Sequence, residues 1–212
     1  QNRMRGEPGM STRIGLFGGT FDPIHKGHTH IARAFADELK LDSVIFLPAG
    51  DPYHKDGAQT PAEHRLAMTE LAAAADPRFA VSDCDIVRGG ATYTFDTVQI
   101  FRQQFPTAEL WWLLGMDSLL KLHTWKKWQT LVRQTNIAVA NRNGGSLAQA
   151  PRELHGWLGE ALQNGSLHLL QAPLLDISSS DIRGRLKNGL DAAEMLDGNV
   201  WHYIRKHKLY AE

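Results

Sequence analysis

Two histidines three residues apart, His25 and His28, close the run Gly18-Gly19-Thr20-Phe21-Asp22-Pro23-Ile24-His25-Lys26-Gly27-His28. The run follows a short apolar stretch, 14–17, and leads into a helical pattern over 29–39. Strand, glycine turn and helix start in that order make a phosphate site. Glycines let the backbone turn sharply and approach a ligand closely, and a helix N-terminus offers unpaired N–H groups and a positive dipole end to an anion. The two imidazoles share a face if the helix begins near 23–26. No Gly-Lys-Ser/Thr closes the run and it does not spell G-x-G-x-x-G, so the usual kinase and dinucleotide fingerprints are absent. A zinc site needs three or four protein ligands, and the single cysteine, Cys84, lies far along the chain. Phosphate is therefore favoured over metal. The blandest alternative is a tight strand-to-helix turn with two solvent-facing histidines; the glycine pair and Asp22-Pro23 at the junction weigh against it.

A second cluster, Asp176-Ile177-Ser178-Ser179-Ser180-Asp181-Ile182-Arg183, opens the next-to-last helical pattern. Serines at a helix start are first of all a capping signal. Arg183, four residues after Ser179, projects from the same face. Hydroxyl, free N–H groups and guanidinium then converge as a cradle for phosphate oxygens. Three further segments follow short apolar runs or precede helical ones: Leu47-Pro48-Ala49-Gly50-Asp51-Pro52-Tyr53-His54-Lys55, Ala91-Thr92-Tyr93-Thr94, and Gly115-Met116-Asp117. The first could be an ordinary solvated loop. Thr94 stands at an N-cap position, and Asp117 could be a plain N-cap as well.

Together the two phosphate motifs resemble the signature of the HxGH nucleotidyltransferases, and within them the bacterial nicotinate-nucleotide adenylyltransferases, over about 12–210. The resemblance implies a role for each motif. His25, His28 and Arg183 would be catalytic, with both histidines on the phosphates and His28 closest to the transition-state charge. Gly18, Gly19, Thr20, Phe21, Gly27, Gly115, Asp117, Ile177 and Ser179 would bind ATP, with Ser179 and Arg183 on its β- and γ-phosphates and Asp117 on the adenosine. The serine cluster corresponds to the family's ISSTxxR, with Ser180 in the Thr position. His54 and Lys55 would hold the phosphate of the acceptor mononucleotide, although Tyr53 departs from the commoner proline. Tyr93 and Thr94 match the family's S-Y-T segment, where backbone N–H groups accept the nicotinate carboxylate; an amide lacks the full charge for those donors. Leu122-His123-Thr124-Trp125-Lys126-Lys127-Trp128 is similar to P-x-W-x-x-W, with Trp125 stacking on the pyridine ring and Trp128 in the core; His123 replaces the usual Phe-Pro or Leu-Pro.

Elements must hold these residues. Short apolar runs read as strands at 13–17, 43–47, 79–82, 110–114, 137–140 and 167–170. Helical patterns fall at 26–39, 61–75, 94–105, 128–133, 152–163, 179–188 and 199–206, with Pro61 suited to a first helical turn. Repeated strand-then-helix order predicts an α/β fold, a doubly wound Rossmann-like parallel sheet in a single domain over 12–212 with right-handed crossovers. Residues 1–11 read as a disordered leader or an appended remnant. Ligands in such sheets bind beyond the strands' carboxyl ends where strand order reverses, so the loops after Leu47, around Gly89-Gly90 and after Leu114 are expected on one edge. The closing run Tyr203-Ile204-Arg205-Lys206-His207-Lys208-Leu209-Tyr210 is expected to pack rather than catalyse.

Composition agrees. The 212 residues are 42% hydrophobic and 22% charged, with 23 basic and 23 acidic side chains. A formal charge of zero argues against a nucleic-acid or membrane-surface role. No apolar run approaches the ~20 residues of a membrane span. One cysteine makes no internal disulfide and fits a cytoplasmic protein. The resemblance implies adenylyl transfer from ATP to nicotinate mononucleotide in NAD synthesis. Mg²⁺ would be bridged by the phosphates; the sequence shows no carboxylate cage, and Asp22 is the nearest candidate ligand. A homo-oligomer stays open. The alternatives are a sibling adenylyltransferase using nicotinamide mononucleotide or phosphopantetheine, and a nucleotide-binding module without chemistry.

Overall fold

The structure is a computed structural model that describes residues 12–50, 60–141 and 146–211. His54 and Lys55 of the expected acceptor site, with Tyr53 and residues 1–11, lie outside the described residues.

Six strands form one parallel sheet: β1 (Arg13–Gly19), β2 (Ser43–Pro48), β3 (Phe79–Val81), β4 (Glu109–Gly115), β5 (Asn136–Ala140) and β6 (Leu167–Leu169), in the order β3-β2-β1-β4-β5-β6. This is the usual order of doubly wound sheets, and it reverses at β1, the strand that runs into Gly18–His28. The helices are α1 (Lys26–Leu39), α2 (Ala62–Ala73), α3 (Cys84–Arg88), α4 (Thr94–Gln104), α5 (Met116–Leu119), α6 (Trp128–Gln134), α7 (His155–Asn164), α8 (Ser179–Lys187) and α9 (Gly198–Lys206). The expected elements are present within a few residues. Pro61 is the N-cap of α2 rather than its first turn. The expected helix over 152–163 is a 3₁₀ turn, Arg152–Leu154, running into α7. The short helices α3 and α5 span too few residues to show a period in sequence.

The chain divides into two compact units. The first holds 12–17, 34–44 and 93–174 of the described residues. Its β4 is buried from Leu110 to Leu114, including Trp111 and Trp112. A continuous apolar run without alternation marks a strand covered on both faces. Strand β1 pairs with β4 in the register Ile14↔Leu110, β4 with β5 at Leu113↔Ala138, and β5 with β6 at Val139↔Leu169. Gly15 lets the helix approach the sheet: a Cβ there would meet the Phe35 ring at 2.5 Å. Glu38 near the end of α1 accepts from the amides of Gln171 and Ala172 at 2.8 and 3.1 Å and meets the His168 ring at 2.9 Å.

The second unit holds 18–33, 45–92 and 175–211, less the undescribed residues. In it Phe46, fully buried, packs edge-on against Phe79 and Phe21. Helix α2 buries Ala62, Arg65, Met68, Thr69, Ala72 and Ala73, a stripe with helical spacing in which an arginine occupies a core position. Asp197 caps α9 by accepting from the amides of Asn199 and Val200. Among the described residues, no helix is long and apolar enough to cross a membrane.

Candidate active site

The chain leaves β1 at Gly19 and enters α1 at Lys26. The intervening turn is held by backbone acceptors and one buried cation. The fully buried Arg65 donates from Nη1 to the carbonyls of Thr20 (2.9 Å) and Ala49 (2.7 Å), and from Nε to the carbonyl of Thr60 (2.8 Å). A guanidinium presents five donors in a rigid fork, so one side chain fixes three carbonyls of the surrounding loops. The Ala49 amide adds a bond to the Gly19 carbonyl at 2.9 Å. Phe21 takes a left-handed φ of 52°, and its ring lies edge-on to the His28 ring at 5.0 Å.

The helix begins just beyond His25, so the two histidines straddle its first turn. Their rings stack with centroids 3.7 Å apart. His25 Nδ1 accepts from the Gly27 amide at 3.0 Å, and His28 Nδ1 accepts from the His25 amide at 3.1 Å. Both rings thus accept from the backbone through Nδ1, which puts the ring proton of a neutral imidazole on Nε2. Gly27 is required here, because a Cβ would lie 2.8 Å from His25 Cε1.

Helix α8 begins at the same place. Ser178 is its N-cap, accepting from the Asp181 amide at 3.1 Å. Ser179 is then free of capping duty, and its Oγ donates to the carbonyl of Pro23 at 3.0 Å. Arg183 Nη1 donates to the carbonyl of Asp22 at 2.8 Å, and Nη2 to Ser180 Oγ at 3.4 Å. The Ile177 Cβ stands 3.6 Å from where a Gly27 Cβ would be. The starts of α1 and α8, distant in sequence, therefore meet, and they bring two helix N-termini, two imidazoles, a hydroxyl and a guanidinium to one locus. That set of donors suits a polyanion.

Asp22, 5% exposed, is the carboxylate of this locus. Its Oδ1 takes the Tyr210 hydroxyl and its Oδ2 the Thr60 amide at 3.4 Å. Both oxygens are engaged by neutral donors. Among the described residues no three His, Cys, Asp or Glu side chains are grouped to hold a metal ion.

Four expected site residues of the first unit fall at two more helix starts. Tyr93, 46% exposed, is the N-cap of α4 with extended backbone, and Thr94 is the first helical residue. The expectation of Thr94 as N-cap is corrected: no side chain caps this helix. Trp125, half-buried, follows the 3₁₀ turn Leu122–Thr124. Its neighbour Lys126 binds both oxygens of Asp96 at 3.0 Å and sits 5.0 Å over the Tyr93 ring, tying the Trp125 segment to the start of α4. Trp128, expected in the core, is only half-buried. His123 Nδ1 is buried without a hydrogen-bond partner among the described residues. Gly115, not Asp117, is the N-cap of α5, and Asp117 is an exposed residue of its first turn.

Two residues escaped sequence reasoning. Arg65 was readable as a cation on the apolar stripe of α2. Tyr210 had no local signal, because its partner is 188 positions away.

Comparison with known proteins places this geometry in a family. The family model described as cytidylyltransferase-like matches residues 16–185. A Neisseria gonorrhoeae protein named "Probable nicotinate-nucleotide adenylyltransferase" is 69% identical over 93% of this chain and 98% of its own length. A Chromobacterium violaceum protein of the same name is 43% identical over 95% of this chain and 100% of its own. The solved Plasmodium falciparum nicotinic acid mononucleotide adenylyltransferase complexed with NaAD is similar in fold. Its TM-score is 0.72 at 19% identity, covering 94% of this chain and 97% of that one.

Proposed function

The chain belongs to the nicotinate-nucleotide adenylyltransferases within the cytidylyltransferase-like family, and from that premise we propose how its residues divide the reaction. It is a nucleotidyltransferase of NAD biosynthesis that joins nicotinate mononucleotide to the adenylyl group of ATP and releases pyrophosphate. The observation that carries the division of labour is the meeting of α1 and α8, through Ser179 on the Pro23 carbonyl and Arg183 on the Asp22 carbonyl.

The attacking group is the 5′-phosphate oxygen of the mononucleotide, already an anion, so no strong base is needed. Catalysis is then in-line positioning and neutralisation of charge on the α-phosphorus and the leaving pyrophosphate. His28 and His25 donate to the phosphate oxygens. Their Nδ1 acceptor bonds hold the rings in place before the reaction, so no reorganisation is needed as charge develops. Arg183, Ser179 and the first amides of α8 take the β- and γ-phosphates, while Gly18, Gly19, Thr20, Phe21, Gly27 and Ile177 shape the turn around them. A divalent cation, for which we propose Mg²⁺, would supply further neutralisation of the phosphates when bound. Gly115 and Asp117 serve the adenosine. The uncapped start of α4 at Tyr93 and Thr94 takes the nicotinate carboxylate, Trp125 stacks on the pyridine, and His54 and Lys55 take the acceptor phosphate. A single cysteine fits a cytoplasmic enzyme.

An acceptor screen tests the reading. Pyrophosphate release from ATP is measured with nicotinate mononucleotide, nicotinamide mononucleotide and phosphopantetheine. The acid is expected to be the preferred acceptor; preference for the amide would overturn the substrate, and tight ATP binding without release would overturn the chemistry.

A further inference from the structure

Tyr210 lies beyond the last helix and is joined to Asp22 by a hydrogen bond. After α9 the chain doubles back. The Lys208 amide reaches the Arg205 carbonyl at 3.3 Å, and the Leu209 amide reaches the Ile204 carbonyl at 3.0 Å. Lys208 and Tyr210 have φ of 51° and 64°, a left-handed conformation that residues with a Cβ rarely adopt. Two such residues within three positions make a strained turn, and the turn delivers the Tyr210 hydroxyl to the phosphate loop. Burial and then the Asp22 carboxylate push that hydroxyl far above its ordinary value, so it stays protonated and donates.

The other side of Asp22 explains what this bond does. The Asp22 carbonyl holds Arg183, and the next carbonyl, of Pro23, holds Ser179. The carboxylate of the same residue is a competitor for the guanidinium, because Arg–carboxylate pairs form readily and in bidentate fashion. With Tyr210 and the Thr60 amide on its two oxygens, the carboxylate is satisfied by neutral donors instead.

We propose that Tyr210 is a positioning residue that occupies the Asp22 carboxylate and so keeps Arg183 directed at the β- and γ-phosphates of the nucleotide. The inference rests on the adenylyl-transfer reading of this site. It makes the segment after α9 part of the leaving-group pocket rather than a packing element alone.

The test is calorimetric titration of inorganic pyrophosphate into the wild type, Tyr210→Phe, Asp22→Asn and the double variant, with melting temperatures measured alongside. Tyr210→Phe frees the carboxylate to capture Arg183, and pyrophosphate binding is expected to weaken about tenfold, the loss of roughly one charge-assisted contact. Asp22→Asn removes the competing charge, so the double variant is expected to recover to within about threefold of wild type. A merely structural tyrosine would give no such recovery. Pyrophosphate binding unchanged in Tyr210→Phe, or a double variant no tighter than Tyr210→Phe, would overturn the proposal. Absence of acceptor-dependent pyrophosphate release in the wild type would instead overturn the reaction, while the titration still judges Tyr210.

Discussion

Arg183 Nη1 donates to the main-chain carbonyl of Asp22 at 2.8 Å across 161 positions of sequence. The bond fixes a guanidinium at the turn between β1 and α1 without neutralising it, since a carbonyl carries no charge. The remaining donors stay cationic and available to an anion. Arg183→Lys tests this. A lysine cannot hold the carbonyl and a phosphate in a planar fork, so kcat/KM for ATP is expected to fall about 100-fold, near the loss seen for a single charge-stabilising donor. Steady-state kinetics against ATP would read it, and a lysine variant at wild-type efficiency would contradict the assigned role.

Arg65 is the structural counterpart. Its fork satisfies the carbonyls of Thr20, Ala49 and Thr60 from within the core. Arg65→Met leaves those acceptors without their donor, at about 1–3 kcal/mol for each buried group left unsatisfied. Denaturant unfolding is expected to show a loss of at least about 3 kcal/mol. A loss below about 1 kcal/mol would show that the loops hold their shape without it.

Gly27→Ala places a methyl 2.8 Å from His25 Cε1 in a ring that is itself 5% exposed. The ring must leave its stack on His28. The expected result is a kcat reduced about tenfold or more with a stability loss of only about 1–3 kcal/mol, the cost of overpacking. Equal kcat in the two proteins would mean the stacked arrangement is not needed for turnover.

Stability should fall at both ends of the pH scale. Burial would raise the Glu38 carboxyl, but the Gln171 and Ala172 amides and His168 outweigh it and hold the group below its ordinary 4.5; Arg78 and Arg33 hold Asp76 below its ordinary 3.8. Depressed carboxyls stabilise the fold above those values, and the contribution is lost as pH falls through and below them. Tyr203 is raised by burial and by Glu63, and Tyr210 by burial and Asp22, above the ordinary 10.0. Their contribution is complete below that value and is lost as pH rises beyond it. Melting temperature against pH checks both limbs, and Tyr210→Phe should blunt the alkaline one.

His123 Nδ1 is buried without a partner among the described residues. Replacing an unsatisfied polar group by an apolar one of similar size removes a desolvation cost of about 1–3 kcal/mol. His123→Leu is therefore expected to raise the melting temperature. A lower one would show that the imidazole makes a contact the fold needs.

What was legible in the sequence followed from local rules. Helix α1 was readable from its apolar spacing, and the meeting of Gly18–His28 with Ser179–Arg183 from the chemistry the two runs share. Helix ends were less legible. Several polar residues compete for one capping position, and the choice depends on tertiary partners: Ser178 rather than Ser179 caps α8 because Ser179 is drawn to Pro23. Gly115 takes the position expected of Asp117, and Tyr93 that of Thr94, each with extended backbone and no side-chain cap bond. Arg65 and Tyr210 act on groups 45 and 188 positions away, and no periodicity reports such pairs.

The most direct test of adenylyl transfer at the histidine pair is the initial rate of pyrophosphate release from ATP and nicotinate mononucleotide, measured for the wild type and His28→Ala. Release is predicted to require the acceptor and to slow by about 100-fold or more in the variant, while ATP still binds. Release at the wild-type rate by His28→Ala would contradict it.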